Sequence, residues 1–210
     1  PYLSVTYQNL GKTLGRMRRF DEAIACFDQA IALQPDYLNA YKNKARALYF
    51  KGALAATEIV HRRALALSPD DVETHMNLGM LRLMHGDAAE GWPEYEWRWK
   101  SKDGALPVVP QSLWDGSSLA GKSIVLTPEQ GLGDSIQFIR YGRVLKQRYD
   151  CRVAFHCPRA LVALLSTCTG IDEIVPSTAA PPATDWFAPL LHVPAMLGHG
   201  PVDFPYPGPY

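Results

Sequence analysis

Pro35 and Pro69 stand 34 residues apart, and each follows a short run of the same kind, Ala30-Ile-Ala-Leu33 and Ala64-Leu-Ala-Leu67. Proline has no N–H to continue a helix, so both mark the end of an apolar helical segment. A period of this length is that of a pair of helices stacked on copies of itself, and it restricts the fold more than any other feature of the chain. Counting from Ser4, Leu38 and Val72, the first unit carries Tyr7, Leu10, Gly11, Leu14, Ala23, Phe27, Ala30 and Pro35 at regularly recurring positions. The second keeps Tyr41, Ala45, Ala64 and Pro69 but has Thr57 and His61 at the small and aromatic sites. The third keeps Leu78, Gly79 and Tyr95, with Gly91 at the small site. Ala23, Thr57 and Gly91 form a set because only small side chains let the two helices of a unit cross closely.

These positions resemble the tetratricopeptide repeat. Each repeat buries its face only against its neighbours, so residues 1–103 are expected to form six antiparallel helices in repeats spanning about 4–37, 38–71 and 72–103. The first helix of each repeat should line a concave groove. There the register places Asn9, Asn43 and Asn77 at one equivalent position. An amide both donates and accepts, so a row of asparagines could clamp the backbone of an extended peptide whatever its side chains; the alternative is that each asparagine bonds a neighbouring turn. Lys12, Lys42 and Arg46 would add positive charge, and Met76, Met80 and Met84 an adaptable apolar surface. The arrangement is similar to the repeat arm of O-linked N-acetylglucosamine transferases, and that resemblance implies a polypeptide partner in the groove.

Gly91-Trp-Pro-Glu-Tyr-Glu-Trp-Arg-Trp99 closes the third repeat with Trp92, Trp97 and Trp99, and a Pro- and Gly-bearing stretch follows. The tryptophans read as a cap and docking surface rather than a sugar-stacking platform. Residues 104–121 read as a linker. Beyond it the pattern becomes strand at Ser123–Thr127, helix at Asp134–Arg148, strand at Arg152–His156, helix at Pro158–Thr167 and strand at Glu173–Val175. A short strand at Asp185–Phe187 and a segment at Leu190–Leu197, interrupted by Pro194, come next. Such alternation predicts a parallel, doubly wound sheet over residues 122–200. The fold class is thus α plus α/β: a helical solenoid followed by a Rossmann-like parallel domain.

Glu129-Gln-Gly-Leu-Gly-Asp134 lies where the first of these strands hands over to a helix, the place where α/β proteins put ligands. Together with Trp114-Asp-Gly116, Leu119, Gly121-Lys122, Ile136-Gln-Phe-Ile-Arg-Tyr141 and the Asp185–Pro194 segment, it resembles bacterial proteins that join tetratricopeptide repeats to a heptosyltransferase-like glycosyltransferase. The resemblance implies a first, acceptor-side half of a two-domain B-type fold, with Asp134 as the general base that deprotonates the acceptor hydroxyl. It further implies that Glu129, Gln130, Gly131, Gly133, Gln137 and Arg140 meet a sugar or protein acceptor. No donor-binding half is apparent after the first, so no sugar transfer is expected from this chain on its own. The residues also spell Asp134-Ser-Ile-Gln137, a capping box with Asp134 opening the helix. Asp134, Gln137 and Tyr141 are spaced to share one helix face.

Lys plus Arg and Asp plus Glu number 21 each, so no net basic field recruits nucleic acid or an anionic membrane. No apolar run of about 18 residues is present to span a bilayer. Cys26, Cys151, Cys157 and Cys168 lack metal-ligand spacing, and Cys26 falls on an expected buried helix face; reduced thiols in a cytoplasm fit best. The histidines, His192 among them as a weak acceptor-site candidate, make no metal motif, and neither a three-glycine dinucleotide fingerprint nor a phosphate loop is met. No cofactor is expected in this chain, a nucleotide-sugar donor being needed only by a complete enzyme. Residues 201–210, rich in proline, read as the start of a further linker. Two functions stand open: the N-terminal portion of a repeat-bearing glycosyltransferase, and a non-enzymatic adaptor whose repeats bind a partner. An α/β enzyme complete at this length fits the proline-rich ending poorly.

Overall fold

The computed structural model describes residues 2–101, 104, 106, 107, 109–200 and 203–205. They fall into two compact units, Pro1–Ser101 and Lys102–Tyr210. The first contains α1 (Tyr2–Arg16), α2 (Phe20–Leu33), α3 (Leu38–Lys51), α4 (Leu54–Leu67), α5 (Val72–Met84) and α6 (Ala88–Tyr95), followed by a 3-10 turn at Glu96–Lys100. Helices α2 and α4 end at Leu33 and Leu67, one residue short of a cap that precedes proline. Gly52 ends α3 in the left-handed region at φ 84°, a conformation glycine adopts at no steric cost. Asp71 and Asp87 open α5 and α6 by accepting from the N–H groups of Thr74 (2.9 Å) and Glu90 (3.2 Å).

Small residues do sit where the paired helices cross. Ala23 is fully buried and Thr57 is 1% exposed. A Cβ on Gly11 would lie 2.7 Å from the Phe27 ring, and one on Gly79 only 2.5 Å from the backbone nitrogen of Tyr95. Cys26, expected on the buried face of α2, is half-buried. The aromatic cluster after α6 closes the third repeat. Trp97 stacks on His75 at 3.7 Å, and Arg98, 3% exposed, lies over the rings of Tyr95 and Trp99 at 4.7 Å each.

In the second unit β1 (Ser112–Leu113), β2 (Ser123–Thr127), β3 (Arg152–Cys157), β4 (Glu173–Pro176) and β5 (Trp186–Pro189) form one sheet in the order β1-β5-β2-β3-β4. Every pairing is parallel, with Val125 opposite Ala154 on one side and Phe187 on the other. The near-continuous apolar runs of β2 and β3 suit strands covered on both faces. Ile124, Leu126, Val153 and Phe155 join Trp114, Tyr141, Leu145 and Leu165 in the main core, while Val125, Ala154 and Phe187 form a smaller cluster. The helices are α7 (Leu132–Phe138), α8 (Tyr141–Tyr149), α9 (Val162–Leu165) and α10 (His192–Leu197). At the N-terminal edge of the sheet, carboxylates staple neighbouring strands. Asp185 accepts from Ser123 N–H (2.8 Å) and Oγ (2.7 Å), and Asp172 accepts from Val153 N–H (2.8 Å).

Several local expectations change. The stretch read as linker to residue 121 already contains β1 and Trp114, which is fully buried with its Nε1 donating to Ser117 O at 2.9 Å. The expected helix over 134–148 is two helices, begun at Leu132 and interrupted at Ile139–Arg140, where Gly142 and Arg143 donate to carbonyls three residues back. The interruption swings Tyr141 into the core at 1% exposure, so it does not share a face with exposed Gln137. Its phenol, among Phe138 and Phe204, is pushed to a higher pKa by burial and by the Asp203 carboxylate. Strand order reverses at β2 as a doubly wound sheet requires, but the crossover from β4 to β5, residues 177–185, carries no helix. Of the proline-rich tail, all but Asp203–Pro205 lies outside the described residues.

Candidate functional site

Two hollows among the described residues are lined by the first helices of the repeats, α1, α3 and α5. The first, of about 380 Å³, lies between α3 and α5. From α3 it takes Asn39, Lys42, Asn43, Arg46, Tyr49 and Phe50, and from α5 Glu73, Asn77, Met80, Leu81 and Met84, with Thr57 and His61 of α4 also lining it. These positions recur at three, four and seven residues, which is one stripe of each helix. The second hollow, of about 510 Å³, includes Lys12, Gly15 and Arg16 of α1 together with Asn43, Arg46 and Phe50 of α3. Asn43 and Arg46 line both. The structure thus brings Asn43, Asn77 and Arg46 together and places Lys12 in the adjoining hollow. Asn9, exposed on α1, lines neither.

The polar groups differ in how far they are already engaged. Asn43 Nδ2 donates to Asn39 O at 2.7 Å and its Oδ1 accepts from Arg46 at 3.2 Å, both within its own helix. Lys42 lies 2.5 Å from Glu73 and 3.1 Å from Asp71. Burial opposes the charge on Lys42, but those carboxylates more than offset it and raise its pKa. His61 is 5% exposed and its Nδ1 has no partner. Burial holds its pKa down at about 4 against 6.5 ordinarily, with Glu73 and Asp71 opposing. An imidazole neutral near pH 7 therefore stands where other repeats of this type carry an aromatic ring.

In the α/β unit the turn from Glu129 to Asp134 follows β2 on the C-terminal edge of the sheet, beside the reversal of strand order. Such a crevice is where open α/β sheets bind ligands. Helix α7 starts at Leu132 with Gly131 as its cap, so Asp134 is the third helical residue and not the opener. Its Oδ2 accepts from Gly131 N–H at 3.1 Å; glycine has no side chain to reciprocate, so only the carboxylate half of a capping box forms. The left-handed conformation in the turn belongs to Gln130 (φ 57°) and not to either glycine, and a Cβ on Gly133 would meet nothing within 4 Å. Glu129, Asp134 and Arg140 are half-buried; Gln130 and Gln137 are exposed. His192 is buried at 3% exposure, with Nε2 2.8 Å from Trp114 O, a tie between α10 and the chain beyond β1.

Residues 4–37 match the family model for the tetratricopeptide repeat. The first unit is a tetratricopeptide-repeat module. Its solved counterparts include the first TPR of Spaghetti (RPAP3) bound to HSP90 peptide SRMEEVD, 20% identical, covering 47% of this chain and 79% of that one with a TM-score of 0.46. A tetratricopeptide repeat protein from Parabacteroides merdae is 15% identical, covering 50% and 41%, with a TM-score of 0.47. In sequence, the protein FlbA of Caulobacter vibrioides is 32% identical over 144 residues, 66% of this chain; the chain spans 24% of that relative's length. Among the described residues no helix is long and apolar enough to cross a membrane.

Within the module, reading the asparagine register alone misses Arg16, Tyr49, Phe50 and Glu73 in the hollows. The signal was available: Arg16, Phe50 and Met84 lie seven residues beyond Asn9, Asn43 and Asn77, on the same helical stripe.

Proposed function

We propose that this chain is a protein-interaction module whose repeat groove holds an extended polypeptide. The observation that carries the reading is the placement of Asn43 and Asn77, equivalent residues of adjacent repeats, in one hollow of about 380 Å³. Two amides one repeat apart can take main-chain N–H and C=O groups in turn, which gives affinity without dictating side chains. Around them Phe50, Met80 and Met84 expose apolar surface, 62%, 42% and 59% respectively; surface of this kind marks binding sites on soluble domains. To test this, peptides selected from a random 12-residue library would be measured by fluorescence anisotropy against the chain and its Asn43→Ala/Asn77→Ala variant. The expected result is a loss of roughly tenfold or more in affinity with an unchanged melting temperature. Equal affinity for both proteins would sink the reading.

A second reading concerns the α/β unit, and the position of Asp134 at the reversal of strand order favours it. In this reading the unit is the acceptor side of a sugar transferase, and Asp134 takes the proton from the acceptor hydroxyl, the role that a carboxylate within hydrogen-bond reach can fill. One sheet is present among the described residues, so the nucleotide-sugar donor would be bound elsewhere in the protein. Full transfer activity of an Asp134→Asn variant, assayed with nucleotide sugars in the full-length protein, excludes the base role; lost turnover with intact folding supports it.

A further inference from the structure

The groove changes character from one repeat to the next, and the repeat register makes the change measurable. Three residues beyond Asn9, Asn43 and Asn77 stand Lys12, Arg46 and Met80; seven residues beyond stand Arg16, Phe50 and Met84. The first repeat thus offers two cations, the second a cation and a ring, the third two thioethers. The hollow beside α1 is lined by Lys12, Arg16 and Arg46 with no carboxylate among its lining residues. In the hollow between α3 and α5 the acid is Glu73, 2.5 Å from Lys42. Cationic surface therefore fades into apolar surface along the solenoid, with Arg46 and Phe50 lining both hollows.

We infer that the groove selects an extended segment carrying acidic side chains over the first repeat and, several residues away, an apolar side chain over the third. This rests on the peptide-groove reading above and adds to it a composition and a spacing. Charge complementarity decides the acidic end, because a carboxylate there meets three cations with no competing lining acid. Met80 and Met84 decide the other end: flexible and polarisable, they mould to an aliphatic or aromatic side chain without strict shape. Packed helices lie about 8–10 Å apart, and α3 and α5, with a hollow between them, stand no closer than that. An extended chain advances about 3.3 Å per residue, so the two steps from α1 to α5 correspond to about five residues or more between acid and anchor.

The test uses the 210-residue chain and synthetic peptides with a Glu-Glu pair and a Leu-Phe pair joined by a Ser/Ala spacer of about five residues, read by fluorescence anisotropy. Replacing Glu by Gln, or Leu-Phe by Ser-Ser, should each weaken binding roughly tenfold, as should removing the spacer. Adding salt should weaken the Glu peptide and leave the Gln peptide almost unmoved. On the protein, Lys12→Glu/Arg16→Glu should turn the preference from Glu to Lys peptides. Met80→Lys/Met84→Lys should abolish the advantage of Leu-Phe over Ser-Ser. Equal binding of Glu and Gln peptides, a preference for Lys peptides by the unaltered chain, or indifference to the spacer overturns the inference. The groove reading survives any of these if binding is still lost in Asn43→Ala/Asn77→Ala; absence of binding by every peptide overturns both.

Discussion

The repeat hollows and the turn after β2 both carry polar residues in a motif, but the structure treats those residues differently. Asn77 and Met80 line the hollow between α3 and α5, and Asn43 and Arg46 line it bonded to each other within α3. Asp134 is drawn back onto its own turn, where Gly131 N–H donates to it. In mid-helix the backbone is satisfied internally, so Asn43 and Asn77 are not needed to cap it and lie half-buried along the hollow. A motif at a helix start must first satisfy the orphan N–H groups of that helix, and its polar side chains are the nearest acceptors. The groove is therefore the better-supported site, and the turn is a helix cap first.

Both units hold glycines against backbone, Gly79 in the repeats and Gly170 in the α/β unit, and the largest effect should come from Gly170, outside either motif. Gly170 holds φ at 98°, and a Cβ there would stand 2.4 Å from Arg143 Cα and 2.5 Å from its nitrogen, backbone atoms that cannot yield. Its neighbour across the gap, Gly142, is the second residue of α8, with Ile171 and the carbonyl of Gly170 against it. Gly170→Val should cost more than about 4 kcal/mol, through strain and overpacking together. Urea denaturation followed by tryptophan fluorescence, to which Trp114 and Trp186 contribute from the α/β unit, checks it. A loss below about 1 kcal/mol would mean that α8 and the turn before β4 are not locked together.

A smaller effect, and one confined to the repeats, follows from His61. Its imidazole is kept neutral by burial, with a pKa of about 4 in the fold against 6.5 ordinarily, although Glu73 and Asp71 favour its charge and Lys42 lies beside both acids. Between those values the unfolded chain binds the proton that the fold refuses. The stabilisation is thus complete above pH 6.5 and drains away as pH falls toward 4, by about 3 kcal/mol for this group. His61→Phe should remove that limb of the pH profile. It should also raise stability at neutral pH by about 1 kcal/mol, since the unpartnered Nδ1 disappears. Identical acid limbs for the two proteins would place the titration elsewhere.

These two positions show what the sequence could and could not reveal. The helix pairs were legible because each repeat is an independent witness to the same register, and Pro35, Pro69 and the small residues Ala23, Thr57 and Gly91 agree across copies. The parallel sheet was legible from its alternation of apolar runs and helices. Strand β1 was not: two residues beside Pro110 have no periodicity, and their place is set by pairing with Trp186 and Phe187, far along the chain. The break at Ile139–Arg140 was hidden for the same reason, since apolar spacing continues across it. Gly142 and Gly170 accept the close approach there only because the turn before β4 returns to that point. Long-range contacts of this kind leave no local mark. The hollows fall between: their asparagines were visible, whereas Arg16 and Phe50 needed the register carried one turn further.

On the turn itself the expected effects are modest. Asp134→Ala should cost about 1 kcal/mol, the worth of a carboxylate bonded to an N–H in the first turn of a helix. Asp134 accepts from Gly131 N–H, and its side chain is only half-buried. Thermal unfolding at neutral pH reads this directly. A cost above about 3 kcal/mol would show that Asp134 anchors more than its own turn and would weaken any reading in which it is free to meet an acceptor hydroxyl.

Gly133 gives the smallest effect and bears most directly on the comparison. It lies in the first turn of α7, outside the left-handed region, and a Cβ there meets nothing within 4 Å. Nothing in the fold requires glycine at this position, so Gly133→Ala should stabilise the α/β unit by about 0.5–1 kcal/mol through helix propensity and a less flexible unfolded chain. The same substitution in the full-length protein separates a cap from a site. A cap tolerates or welcomes the methyl group, whereas a ligand that approaches the backbone at the helix start is displaced by it. If Gly133→Ala raises the melting temperature and leaves activity or acceptor binding unchanged, the turn serves folding alone. If it raises the melting temperature and abolishes binding, the glycine is kept for a ligand, and the turn is a binding surface in its own right.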